Sequence, residues 1–199
     1  MQKTTLVLVL IALGLGGYVY FFETRSPSPE ETVTASQETP FSFAEKEVQR
    51  LEIQKENEPT LEFIRLETTA SNWRMKRPEG SPAADAAIVF LLDLFVKTTA
   101  PKTFTVESNE LAPYGFNQPL ATITIELNNN TRYQITLGNP TFDNEQIYAQ
   151  INPEEDTPTQ QVYILPIDFQ YAVDRSLSEW KQSPSQPEPP ETQLPPPNE

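Results

Sequence analysis

Leu120–Leu127, LATITIEL, followed by Asn128–Asn130, NNN, and Thr131–Pro140, TRYQITLGNP, decides how this chain folds. Ala121, Ile123, Ile125 and Leu127 occupy every second position, with Thr122, Thr124 and Glu126 between them. Successive side chains of a strand point to opposite faces, so this alternation specifies a strand with one apolar and one wet face. Asparagine tolerates the left-handed backbone of a tight reversal, so NNN turns the chain back on itself. The return strand sets Tyr133, Ile135 and Leu137 inward and is expected to stop at Gly138-Asn139-Pro140. A hairpin with one polar face belongs to an antiparallel sheet.

Immediately upstream lies Tyr114–Pro119, YGFNQP. Ser108 is placed to cap a single turn through Glu110 and Leu111, and Pro113 prevents a longer helix. Gly115 supplies a positive φ that ends the turn, and Phe116 packs back on Leu111 as a helix-stop contact. Pro119 holds Gln118 extended and starts the strand. Every residue of the motif thus has a conformational task, which makes the loop a joint. The competing reading is an aromatic clamp on a ligand. Downstream, two further strands are expected at 147–151 and 162–165. A short helix opened by Pro166 then runs through Val173, and Ser176 and Glu179 are spaced as a capping box before Trp180.

The preceding segment shows a similar order. Ser42 and Glu45 have capping-box spacing, so a helical turn opens the region. VQRLEIQK (48–55) and TLEFIRLE (60–67) flank ENEP and read as a hairpin. In WRMKR (73–77), Trp73 and Met75 face in while Arg74 and Lys76 face out. Ser81-Pro82 reads as a cap and first-turn proline ahead of a helix from Ala83 to Lys97. Ile88, Leu91, Leu92 and Phe95 form its apolar stripe, and Val89, Phe90, Leu94 and Val96 widen that stripe until most sides are covered. Asp85, Asp93 and Lys97 leave too short an uncharged run for a membrane span. The fold expected is α+β, a mainly antiparallel sheet built from two loosely similar hairpin–strand–helix halves, preceded by one transmembrane helix.

That helix is Leu6–Phe22, LVLVLIALGLGGYVYFF, 17 residues without a charge. With Thr4 and Thr5 it reaches about 28 Å at roughly 1.5 Å per residue, near the thickness of a bilayer's hydrocarbon. Lys3 precedes it, Glu23, Glu30 and Glu31 follow with Arg25, and four aromatics crowd its far end. The positive-inside rule then keeps the N-terminus in the cytoplasm and places the rest outside, anchored by a single pass in the plasma (inner) membrane. A cleaved signal peptide is the rival. It would need small residues at the cut, and only Gly14 and Gly16 offer them. The organisation expected is an anchor over 1–22, an acidic disordered linker over 23–40, a folded domain over 41–181 and a disordered tail over 182–199 with seven prolines.

Composition narrows the chemistry. The chain has 199 residues, no cysteine, no histidine and a net charge of −14. Disulfides, thiolate or imidazole metal sites and the commonest general base are thereby excluded. An acidic surface repels phosphate backbones, which argues against nucleic acid. Of the six glycines, only Gly80, Gly115 and Gly138 lie outside the apolar segment, so no phosphate-cradling loop is available. No catalytic, cofactor-binding or metal-ligating residue is therefore assigned, and no cofactor is expected. Weaker candidates remain. Tyr114, Phe116, Phe142, Tyr148 and Tyr163 are aromatics for a ligand surface. Asp143 with Glu145, and Glu154 with Glu155 and Asp156, are carboxylate pairs that lack calcium-loop spacing. Arg74, Lys76 and Arg77 form the one basic cluster, explained by a strand's wet face.

LAPYGFNQPLATITI (111–125), YQITLGNP (133–140), IYAQI (147–151) and VYILP (162–166) together resemble DUF4340, a bacterial domain family of unknown function. WRMKRP (73–78), PAADAAIVFLLDLF (82–95) and RSLSEWK (175–181) are similar to its short, membrane-anchored members. Phe116 stands where leucine is expected, and Pro113 interrupts the turn. The resemblance implies an accessory role beside ABC-type export systems, some of them linked to gliding motility. The function expected is a non-enzymatic, membrane-anchored extracytoplasmic domain that binds or organises a protein partner. The alternative is a ligand-binding module for polysaccharide or peptide.

Overall fold

A computed structural model describes residues 34–35, 40–66, 72–99, 101–154 and 156–183. The strands are β1 (Thr34–Ala35), β2 (Val48–Gln54), β3 (Leu61–Arg65), β4 (Trp73–Arg77), β5 (Ser81–Pro82), β6 (Lys102–Glu107), β7 (Ala121–Leu127), β8 (Arg132–Pro140), β9 (Gln146–Ile151) and β10 (Thr159–Pro166). The helices are α1 (Asp85–Lys97) and α2 (Asp168–Val173). All ten strands join one sheet in the order β1-β6-β10-β9-β8-β7-β2-β3-β4-β5, and every neighbouring pair is antiparallel. The molecule is thus α+β with an antiparallel sheet, as the alternation in β7 implies.

The sheet is organised around the β2–β7 pair. From it, β2-β3-β4-β5 meanders outward on one side and β7-β8-β9-β10 on the other, and each run is followed in the chain by a helix. Registers carry the apolar rows across the strands. Phe63 lies opposite Leu51, Leu51 opposite Ile125 and Ile125 opposite Tyr133, while Ile53, Ile123 and Ile135 form the next row. These rows and the buried stripe Ala87, Ile88, Leu91, Leu92 and Phe95 of α1 make the main core. Phe95 packs against Phe41 at 4.9 Å and against Phe169 of α2 at 4.8 Å between ring centroids, which seats both helices on the same sheet face. Trp73 and Trp180 are fully buried in this layer.

Several local expectations are corrected. Ser81-Pro82 is not a helix cap: it forms β5, paired with Met75 and Arg74. Ala83 then bridges Lys181, the Ala84 N–H donates to the Trp180 carbonyl at 2.9 Å, and α1 starts only at Asp85. Sheet pairing on both sides of Ala83 overrides a locally plausible cap. The Asp85 carboxylate instead accepts from the backbone N–H groups of Asn72 and Trp73. α1 is covered on one side, with Phe90 and Val96 exposed. The opening turn is a 3₁₀ helix over Glu45–Glu47, where Glu47 accepts from the Ala44 N–H at 2.7 Å; Ala44 has no side-chain acceptor, so only the glutamate half of a box forms, two residues beyond Ser42. β8 ends at Pro140, within the expected stop, after an irregularity beyond Leu137. Pro166 ends β10, and α2 begins at Asp168. Ser176 and Glu179 make only the glutamate half of the box, and without a helix: Glu179 accepts from both the N–H and the hydroxyl of Ser176 at 2.8 Å, while its own N–H donates to the Ser176 carbonyl at 3.0 Å.

β6 was not anticipated in the sequence. It carries only Phe104 and Val106 as large apolar residues, and its strand character follows from pairing with β10 along its whole length. Ser108 does not cap the turn that follows; its hydroxyl donates to the Thr157 carbonyl at 2.5 Å. Thr34 and Ala35, within the expected linker, pair with Thr103 and Lys102 as an edge strand. Among the described residues no helix is long and apolar enough to cross a membrane, and Leu6–Phe22 lies outside them, as does the tail beyond Ser183.

Candidate functional site

The sheet face opposite the helices divides into an apolar and a charged region. Phe104, Val106 and Val162 form a small buried cluster there, with Leu111, Tyr114, Phe116, Tyr148 and Ile164 packed against it. Tyr114 lies 5.0 Å from Tyr148 and 5.3 Å from Phe104 between ring centroids. The sequence therefore names three of the right aromatics, and the fold brings Tyr114, Phe116 and Tyr148 together. It brings them together as packing under the loop between β6 and β7. Gly115 has φ +86°, the left-handed value the motif implies. A β-carbon there would come within 2.6 Å of Asn139, and one on Gly138 would collide with the Tyr114 carbonyl. The Asn139 side-chain amide donates to the Pro113 carbonyl at 3.2 Å. YGFNQP is thus clamped directly onto the glycine and asparagine of β8.

The other two aromatics lie elsewhere. Tyr163 belongs to the helix-bearing face, half buried, and donates to Gln161 Oε1 at 2.9 Å; burial pushes its phenol up from the usual value. Phe142 is fully exposed in the β8–β9 turn. In that turn Asp143 is held below the usual carboxylate range by the Thr141 hydroxyl at 2.6 Å and the Glu145 N–H at 3.1 Å. Its carboxylate is occupied in shaping the turn. Glu154 and Asp156 are exposed, and among the described residues no three acidic side chains converge as a metal cage.

The charged region of the open face is a network. Arg50 lies 3.0 Å from both Glu52 and Glu62 and 3.8 Å from Glu126. Arg77 reaches Glu62 at 2.7 Å and Glu52 at 3.2 Å, and Arg132 reaches Glu126 at 3.3 Å. Of the basic cluster singled out in the sequence, Arg77 joins this network while Arg74 reaches toward the Gly80 carbonyl at 3.5 Å and Lys76 is exposed. The acidic partners escaped notice because Glu52, Glu62 and Glu126 become neighbours only through strand register. Networks of this kind fix register and cover a sheet face.

The helix layer presents a different surface. Phe90 and Val96 of α1 and Tyr171 of α2 are exposed, although most large apolar residues of the described chain are not. The Arg175 guanidinium stands over the Phe90 ring, 5.3 Å from its centroid, a cation–π geometry. Sequence reading assigned Phe90 to the core; only its position on the outer side of α1 exposes it. Comparison with family models, with curated proteins and with solved structures gives no match. The likeness to DUF4340 accordingly stands on the quoted residues alone.

Proposed function

We propose that the protein is a non-enzymatic, membrane-anchored extracytoplasmic domain that binds or organises a protein partner in the bacterial envelope, through its helix layer. The observation that carries this reading is the exposed Phe90, stacked by Arg175 on a layer that also exposes Tyr171 and Val96. Aromatic and arginine side chains are enriched among the residues that contribute most to protein interfaces. Anchorage rests on the charge-flanked apolar run Leu6–Phe22, and a transport-system partner on the DUF4340 likeness. A photo-crosslinking side chain at position 171 of the full chain, expressed in a bacterial envelope, tests the reading. A discrete protein adduct at 171, absent from a probe at 142, is the expected result. Equal labelling at both positions, or none, contradicts it.

A further inference from the structure

The helices leave one end of their sheet face bare, and that end is concave. There Thr105 of β6 lies opposite Gln161 of β10, and Thr103 opposite Tyr163, in adjacent cross-strand pairs on the helix-bearing side. Asn152, Glu154 and Thr157, from the connection between β9 and β10, and Gln160 wall a hollow beside this floor. We propose that this hollow is a binding site for a neutral, hydroxyl-rich ligand, an oligosaccharide. The inference is independent of the helix-layer reading.

Three features argue for it. The lining is amide and hydroxyl, with Ile151 and Pro153 the apolar members and Glu154 the charged one. No lysine or arginine lines it, so in a chain of net charge −14 an anionic ligand is disfavoured. Amides, hydroxyls and a single carboxylate are the donors and acceptors that match vicinal hydroxyls. Second, the wall is built before any ligand arrives. Gln160 Nε2 donates to Thr157 Oγ1 at 2.8 Å, and the Thr157 hydroxyl donates to the Thr159 carbonyl at 2.9 Å. Asn152 exchanges hydrogen bonds with Gln134 across β8, its N–H donating at 2.7 Å and its Oδ1 accepting at 2.8 Å. Such a shell holds polar groups in place and lowers the ordering cost of binding. Third, the Tyr163 hydroxyl is fixed on Gln161 Oε1, which orients the Gln161 amide nitrogen as a donor.

The test is amide and side-chain NMR of the full chain, held in a detergent without sugar headgroups. Neutral cello-, malto- and chito-oligosaccharides are titrated against it. The expected result is saturable shifts confined to Thr105, Gln160, Gln161 and Tyr163 for at least one series, weakened on the order of tenfold in Gln161→Ala by loss of one hydrogen-bonding side chain. Thr105→Val, which keeps shape and strand character, should weaken the same series, and unchanged melts of both variants exclude misfolding. Absence of saturable shifts for all three series overturns the proposal. So does binding that survives both variants, or preference for an acidic oligosaccharide.

Discussion

The Tyr114 carbonyl occupies the space where Gly138 would carry a side chain. Two residues far apart in sequence thereby fix how the β6–β7 loop lies on β8, and the loop in turn roofs the Phe104 cluster.

Gly138→Ala should therefore destabilise the fold by about 1–3 kcal/mol, the range for forcing atoms into packed space. Gly115→Ala should lose on the order of 1 kcal/mol or more, since its φ of +86° and the Asn139 contact both oppose a β-carbon. Gly80→Ala, whose β-carbon would meet only Arg74 at 3.8 Å, should be close to neutral. Chemical denaturation of the three variants checks the order.

Trp180 ties the end of the described chain to its first half. Its ring lies 5.3 Å from Phe63, its carbonyl accepts from Ala84, and it is fully buried. Trp180→Ala should cost about 3–5 kcal/mol, as for other buried large-to-small changes. An equilibrium melt that matches the parent would show that the 176–182 segment is not part of the core.

The arginine–glutamate network should be salt-sensitive and modest. Arg50→Ala leaves Glu52, Glu62 and Glu126 without their shared cation, and Glu62 is the most buried of the three. A loss of about 1 kcal/mol at low ionic strength, shrinking in 1 M salt, is expected from partly exposed pairs. Melts at two salt concentrations measure it, and a salt-independent loss would point to packing of the arginine stem.

Acid should weaken the fold through Glu179 and Asp143. The Ser176 N–H and hydroxyl hold Glu179 below its ordinary value of 4.5, and Thr141 with Glu145 holds Asp143 below 3.8. Their folded values are depressed, so their contribution is present above those ordinary values and is lost as pH falls through the lowered ones. Glu179→Gln should flatten the acid limb of the stability curve below that ordinary 4.5, read by denaturation at each pH.

Where local pattern and tertiary environment agree, the structure was legible. Ala121–Leu127 alternates because one face meets α1 and the other meets water, and the sequence states this directly. Trp73 and Met75 follow the same rule. Ser81-Pro82 was misread because a cap and an edge strand share the same residues, and the choice depends on Arg74 and Lys181, which no local window contains. β6 was missed because Lys102-Thr103-Phe104-Thr105-Val106-Glu107 has too few apolar residues to announce a strand, though Thr103 too is buried. The role of Gly115 was readable from its neighbours, but its contact with Asn139 was not. The exposed Phe90 went unseen for a related reason: ten apolar or small residues on α1 do not say which side the sheet takes.

The central claim separates two sets of aromatics: Phe116 packs the fold, and Phe90 meets the partner. A crosslinking probe at position 171, read together with thermal melts in Phe90→Ser and Phe116→Ala, tests it most directly. The account predicts that Phe90→Ser melts near the parent but loses the adduct, whereas Phe116→Ala melts lower and keeps the adduct per folded molecule. A Phe116→Ala protein that melts like the parent and loses the adduct, with Phe90→Ser unaffected, would contradict it.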